Sequence, residues 1–308
     1  MTRVAALDCG TNSLRLLVAD LDPGSGALRD ISRRMNIVRL GEGVDATGRL
    51  SAAALDRTFR VLRDYAAEIA GAGVDRLRMV ATSATRDAEN RGEFVAGVRA
   101  ILGVVPEVVT GAEEAGLSFA GATRELGPAV AAPYLVVDIG GGSTEFVLGT
   151  GTVTAACSVD VGCVRLTERH LRDDPPTAGQ IAAAVADIEA ALDRVAAAVP
   201  VQDARTLVGL AGSVTTVAAL ALELPHYDPA RIHHARIGAA QVTGVAGRLL
   251  GATRAERAAL PVMHPGRVDV IGAGALVLAT LCRRFDADTV LVSEHDILDG
   301  IAWSLADR

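Results

Sequence analysis

Two short stretches place acids, glycines and hydroxyls at matched spacing: "DCGTNS" at 8–13 and "DIGGGSTE" at 138–145. Each follows one apolar run and precedes another. Glycine lets a backbone turn sharply and approach a ligand, and the exposed N–H groups of such a turn make an anion-binding concavity. Gly10, Thr11, Asn12 and Ser13 are phosphate-binding candidates in the first stretch. Gly140, Gly141, Gly142, Ser143 and Thr144 are their counterparts in the second. Asp8 and Asp138 are wrong for an anion alone. They make sense as metal ligands if a divalent cation, Mg²⁺ or Mn²⁺, sits between carboxylate and phosphate. Either stretch alone also reads as a tight hairpin turn. Their recurrence at equivalent points of the chain favours a site for phosphate and metal.

Further candidates are weaker one by one. In "VVTGAEEAGLSFAGA" (108–122) a strand runs into a helix with Glu113 and Glu114 in its first turn. Acids there complement the helix dipole, but a carboxylate so placed can also act as general base toward water. In "MVATSATRDAENR" (79–91) Arg86 precedes a helix, and helix starts bind anions. Gly212 and Ser213 occupy another strand–glycine–helix junction in "VGLAGSVTT" (208–216). Arg165 and Arg169 lie four apart on one helix and read as a solvated face. The histidines at 170, 226, 233, 234, 264 and 295 show no metal spacing, and "HHA" at 233–235 reads as loop surface. Cys9 reads as a small buried residue.

An internal repeat positions these residues. The first half reads as strands 3–8, 13–21 and 29–40, helix 51–71, strand 77–82, helix 87–102, strand 105–110 and helix 112–126. After a linker at 126–133 come strands 134–139, 144–149 and 152–160. Helix 177–199 and strands near 205–210 and 288–293 follow. Ser51 caps helix 51–71 and Gly71 stops it; Pro200 ends helix 177–199. Strands joined by tight turns are antiparallel, and strands joined by helices are parallel. The order predicts two duplicated α/β domains, each a mixed five-stranded sheet with helices, with a cleft between them. The predicted boundaries are 1–128 and 129–308, with a last helix near 297–308 that packs back on the N-terminal domain.

Composition bounds the function. The chain has 308 residues, 50% hydrophobic, and a net charge of −7. This suits about two ordinary globular domains, not a nucleic-acid coat or an anionic-membrane binder. Aromatics at 3% are too few for single-strand stacking platforms. All 30 basic residues are arginine, which excludes Schiff-base chemistry and the P-loop lysine. Cys9, Cys157, Cys163 and Cys282 form no CxxC pair and read as buried free thiols of a reducing compartment. The longest uncharged apolar run, 270–282, is shorter than the roughly 20 residues of a membrane span. The expectation is a cytoplasmic protein with no membrane partner.

The set "DCGTNSLRLLVAD", "ATSATRDAENR", "TGAEEAGLSF", "VVDIGGGSTEFVLG", "GCVRLTE" and "GLAGSVTT" resembles the exopolyphosphatase and guanosine pentaphosphate phosphohydrolase family. That family belongs to the actin-like, ribonuclease H-like superfamily that also holds sugar kinases and ATPase chaperones. The resemblance runs from residue 3 to about 303. "MHPGRVDVIGAGALVL" and "VSEHDILDGIAW" resemble its short actinobacterial branch. The resemblance implies Glu114 as general base, Asp138 and Glu145 in metal binding and catalysis, Asp8 facing the same cleft, and Arg86 on phosphate. It also implies a homodimer. The chain departs from longer members in lacking their C-terminal helical domains, so a preference for shorter polyphosphate is expected. Asp299 stands where many relatives carry arginine before the glycine, so one anion contact is expected to be missing.

The resulting expectation is a Mg²⁺-dependent hydrolase that removes terminal phosphate from inorganic polyphosphate. Hydrolysis of pppGpp uses the same chemistry, and no residue separates the two substrates. A kinase or chaperone of the superfamily, or a sensor that binds without turnover, are the readings from other classes. Glu114 favours water over an acceptor alcohol, and the acids at 114, 138 and 145 favour turnover.

Overall fold

The computed structural model describes residues 1–22, 24–25 and 27–306. Two compact units are present: Met1–Gly121 with Ile297–Arg308, and Ala122–Asp296. The first contains β1 (Thr2–Cys9), β2 (Ser13–Leu21), β3 (Leu28–Ile37), β4 (Arg76–Ala81) and β5 (Glu107–Val108), in the order β3-β2-β1-β4-β5. The second contains β6 (Tyr134–Ile139), β7 (Thr144–Gly149), β8 (Val153–Val159), β9 (Thr206–Leu210), β10 (Arg236–Gly238) and β11 (Thr289–Val292), in the order β10-β11-β9-β6-β7-β8.

Both sheets repeat one plan. Three strands meander antiparallel, and the first of them pairs in parallel with a strand reached through helix. The duplicated α/β architecture expected from the sequence is therefore present. The second sheet has six strands instead of the five expected. Its extra member β10 pairs antiparallel with β11 over only three residues, too few to leave an alternating pattern in the sequence.

Local chemistry explains the helices. Ser51 accepts the Ala54 N–H and starts helix Ala52–Ala72, which passes Gly71 and ends at Gly73, where φ is 66°. Gly71 is tolerated inside because the positive φ that ends a helix falls two residues later. Thr177 and Gln180 form a capping box at the start of helix Ala178–Ala198. The expected helix 87–102 is two helices, Ser83–Asp87 and Arg91–Leu102, because Ala88 is extended. The expected strand 105–110 shrinks to Glu107–Val108, the two residues that pair with Val80 and Ala81.

β1 and β2 are apolar almost throughout because both faces are covered. One face, with Leu7, Leu14 and Leu16, packs on Leu55, Leu62 and Tyr65 of helix Ala52–Ala72. The other, with Val4, Ala6, Leu17 and Ala19, packs on Ile297, Ile301 and Trp303 of helix Ile297–Trp303. That last helix thus completes the unit that the chain began. Positions 307 and 308 of the expected helix 297–308 lie outside the described residues. In the second unit Leu135, Val137 and Phe146 share a core with Ile188, Leu192 and Val195.

Candidate active site

The turn between β1 and β2 closes with Gly10 N–H on the Ser13 carbonyl at 3.0 Å. The turn between β6 and β7 closes the same way, Gly140 N–H on the Ser143 carbonyl at 3.0 Å. In both, the chain after the third strand takes up the loop carbonyls. The Thr11 and Asn12 carbonyls accept the N–H groups of Gly41, Val38 and Arg39. The Gly140 and Gly141 carbonyls accept those of Cys163, Val164 and Arg165, and Arg165 Nε donates to the Gly142 carbonyl at 2.6 Å. In a trans peptide the following N–H points opposite its carbonyl. Anchoring the carbonyls therefore turns the N–H groups of Gly141, Gly142 and Ser143 to the other side as a row of donors. Such a row is what an anion-binding loop needs.

The acids beside the two loops differ. Asp8, 4% exposed, receives Arg15 Nε at 2.9 Å and Nη2 at 2.8 Å, both on Oδ2. Its electrostatic partner is thus a cation of its own hairpin. Asp138 instead stands directly opposite Glu145 across β6 and β7, and the two are 8% and 1% exposed. Side chains of opposed strand residues share a face about 5 Å apart. Glu145 also accepts Ser158 Oγ–H at 2.8 Å. Two buried carboxylates at this spacing are hard oxygen donors and fit a small divalent cation.

Glu113 and Glu114 separate cleanly. Glu113 accepts both the N–H and the hydroxyl of Thr110, at 2.8 and 2.9 Å, and its carboxyl lies below the ordinary range because of those bonds. It is a helix cap. Glu114 is 7% exposed and receives Arg86 Nη1 at 2.9 Å, and the same nitrogen donates to the Val109 carbonyl at 3.0 Å. Arg86 therefore orients Glu114, and the two predicted residues form one unit. Asn12 Oδ1 in the first loop and Thr85 Oγ1, next to Arg86 in sequence, are buried without a hydrogen-bond partner in the protein. Buried polar atoms of that kind are relieved by a bound ligand or ordered water.

Several predicted donors are occupied within the protein. Thr144 is fully buried and its hydroxyl donates to the Val161 carbonyl at 2.6 Å. Ser213 is 6% exposed, bonds to Cys163 and packs against Gly274. Gly212 lies under the guanidinium of Arg267, where a β-carbon would come within 2.1–2.6 Å of that group. Arg267 also donates to Thr216 Oγ1 at 3.2 Å. Sequence reading missed Arg267, because it lies far along the chain in "HPGR". The helix Ala211–Ala221 starts on Ala211 at φ 66°, a left-handed value that marks this junction as over-determined by its surroundings.

The remaining expectations divide. Cys9 is buried, and burial followed by the Asp8 charge pushes its thiol up, so it is no nucleophile. Cys163 and Cys282 are likewise buried, while Cys157 is only half-buried, at the sheet edge. Arg169 is not a solvated face: it pairs with Asp187 at 3.1 Å. Asp299 is 1% exposed and holds Arg33 at 2.5 Å, which makes it a structural acid of the first unit. "HHA" is a loop before β10 with His234 exposed, as expected, but the half-buried His233 ring stacks on His234 and lies tilted against His295.

A duplicated α/β fold with two carbonyl-anchored glycine loops, each beside a buried acid, defines a phosphate-handling class of protein. The profile of the Ppx/GppA phosphatase family matches residues 17–308, and the chain belongs to this family. It is 53% identical over 317 residues to exopolyphosphatase 2 of Mycobacterium tuberculosis, covering 99% of both chains. A crystal structure of an exopolyphosphatase-like protein superposes with a TM-score of 0.95 at 44% identity, covering 100% of this chain and 99% of that one. The guanosine-5′-triphosphate,3′-diphosphate pyrophosphatase of Aeromonas salmonicida is 28% identical, over 98% of this chain and 59% of that protein.

Proposed function

We propose that the protein is an exopolyphosphatase that hydrolyses the terminal phosphoanhydride of inorganic polyphosphate. The observation that carries the reading is the row of loop N–H groups, Gly141 to Ser143, beside the Asp138–Glu145 pair. Phosphoryl transfer asks the protein for positioning and charge neutralisation more than for covalent help. The loop amides hold phosphoryl oxygens, and Asp138 and Glu145 would hold Mg²⁺ or Mn²⁺. When bound, that ion neutralises phosphate charge. Glu114, fixed by Arg86 at 2.9 Å, orients a water and takes its proton as the water oxygen bonds to the terminal phosphorus and the bond from phosphorus to the bridging oxygen breaks, that oxygen leaving with the electron pair on the shortened chain. Arg86 and Arg15 add positive charge beside the first loop.

Cleavage of pppGpp is the second reading, favoured by the pyrophosphatase relative. The same site chemistry serves both. Free cysteines are consistent with a cytoplasmic enzyme, and no helix among the described residues is long and apolar enough to cross a membrane. Homodimer assembly rests on the family resemblance alone and is read by sedimentation.

The deciding experiment compares kcat/KM for short polyphosphate, long polyphosphate and pppGpp in one preparation with Mg²⁺. Polyphosphate is expected to be the best substrate; a higher kcat/KM for pppGpp would reverse the order. Glu114→Gln should lower kcat by roughly 10²–10⁴-fold with the fold intact. Full activity in that variant removes Glu114 from the mechanism.

A further inference from the structure

Three side chains outside the phosphate loops converge in the second unit. Glu125, His233 and His295 each offer a ligand atom, and these atoms lie within 4.8 Å of one another. They come from three places in the chain. Glu125 follows helix Gly111–Thr123, His233 precedes β10, and His295 follows β11. The rings of His233 and His295 are 4.6 Å apart between centroids, and His295 Nδ1 lies 3.2 Å from Glu125 Oε2. His234 stacks on His233 at 3.8 Å and has φ 61°, a left-handed value that disfavours any residue with a β-carbon. Strain of this kind persists where the surroundings impose it, and it gathers at ligand sites.

We infer that Glu125, His233 and His295 bind a transition-metal ion of the zinc class. Two imidazoles and one carboxylate suit Zn²⁺, Co²⁺ or Ni²⁺, whereas Mg²⁺ and Ca²⁺ prefer sites made of oxygen alone. Zinc bonds to nitrogen and oxygen of about 2.0–2.2 Å put tetrahedral ligand atoms roughly 3.5 Å apart. The widest pair must therefore close by about 1 Å. Glu125 already lies 3.2 Å from His295 Nδ1, so the closing involves His233, and the Glu125 side chain, 47% exposed, can follow it. Three protein donors leave a fourth position for water, as in zinc sites that are open rather than closed by four protein ligands.

His233 links this site to the rest of the unit. Its Nδ1 accepts the Glu294 backbone N–H at 3.1 Å, which selects the neutral ring with its proton on Nε2. An ion at Nδ1 displaces that N–H. An ion at Nε2 moves the ring proton onto Nδ1, against the same N–H. Either way the Glu294 peptide must adjust, and the Glu294 carboxylate accepts the Tyr227 hydroxyl at 2.7 Å. The same hydroxyl contacts Thr215 in the helix that begins at Gly212's junction. Metal binding is thus coupled to the packing behind that junction.

Cobalt(II) is the probe, because nitrogen-ligated Co²⁺ of low coordination number absorbs visibly. The intact protein is titrated with Co²⁺, and the visible band is read without any assay of activity. The wild type should take up one equivalent with such a band. His233→Ala and His295→Ala should each abolish it, and Glu125→Gln, at an exposed position that leaves the fold alone, should weaken uptake at least tenfold. Glu145→Gln should keep the band, as should His234→Gly, which relieves the strained backbone and retains all three ligands. Absence of the band in the wild type overturns the site. So does a band that survives His233→Ala or His295→Ala, an unchanged affinity in Glu125→Gln, or a band lost in Glu145→Gln.

Discussion

Arg15 stands directly opposite Asp8 across the first hairpin and places Nε and Nη2 2.9 and 2.8 Å from one carboxylate oxygen. At the equivalent register of the second hairpin Glu145 stands opposite Asp138. The duplicated turns therefore differ in the residue that faces the aspartate. One sets a cation opposite its acid, and the other sets a second acid there.

The first consequence concerns stability. Asp8 and Arg15 side chains are 6% and 19% exposed, so removing the cation leaves a buried charge without its main partner. Arg15→Ala should cost about 3 kcal/mol in urea unfolding. Asp8→Asn added to Arg15→Ala should recover part of that loss, since no unpaired charge remains. Equal stability of the single and double variants would mean that the pair is not coupled.

A second prediction concerns the anchoring of the glycine loop. A β-carbon on Gly162 would come 2.5 Å from the Gly141 oxygen and 2.6 Å from its carbonyl carbon. Both atoms are backbone, so the loop itself has to move. Gly162→Ala should destabilise by about 1–3 kcal/mol. Its kcat/KM on polyphosphate should fall by up to about 10²-fold, the loss typical of a 1 Å misplacement. Wild-type kinetics in a folded variant would show that the carbonyl anchors do not set the loop.

A third prediction follows from His264. Its Nδ1 accepts the Gly266 N–H at 3.1 Å and caps the short turn Pro265–Arg267 that carries Arg267. Burial, and then the Arg267 charge, hold its pKa below the ordinary histidine value. The unfolded chain therefore binds this proton more readily than the folded one. The stabilisation is full above about pH 6.5 and is lost as pH falls through the folded pKa. His234 is shifted the same way, by burial and by His295, with Glu125 opposing. Melting temperature should drop between pH 7 and pH 5, and less so in His264→Asn, which keeps an acceptor at the cap. Identical pH slopes for the two proteins would rule out His264 as a contributor.

Much of this is visible in sequence, for physical reasons. A glycine turn between two apolar strands is a local signal, and Asp8 and Asp138 head two such turns at matched spacing. The capping of helix Ala178–Ala198 by Thr177 is local too. Arg15 also lies within its hairpin, but its pairing with Asp8 needs the strand register. Arg267 on Gly212 depends on packing between distant segments. The Glu125–His233–His295 cluster is assembled by three separate connections, so ligand spacing along the chain is no guide. Glu113 and Glu114 are adjacent and alike in sequence. Only the direction of each side chain, one to Thr110 and one to Arg86, assigns their roles.

The return of helix Ile297–Trp303 to the first sheet has a consequence for biosynthesis. Asp299 holds Arg33 from 266 positions away, and Trp303 is buried in the same core as Val4 and Leu17. As the chain leaves the ribosome, the segment Met1–Gly121 lacks one covering layer of its sheet until residues 122–296 and then helix Ile297–Trp303 have been translated. The uninterrupted unit Ala122–Asp296 is the earlier of the two to have all of its residues. The order in which the two units are completed is then the reverse of the order in which they begin, and the face of the β1–β2 hairpin with Val4 and Leu17 cannot receive its native cover before that helix is made.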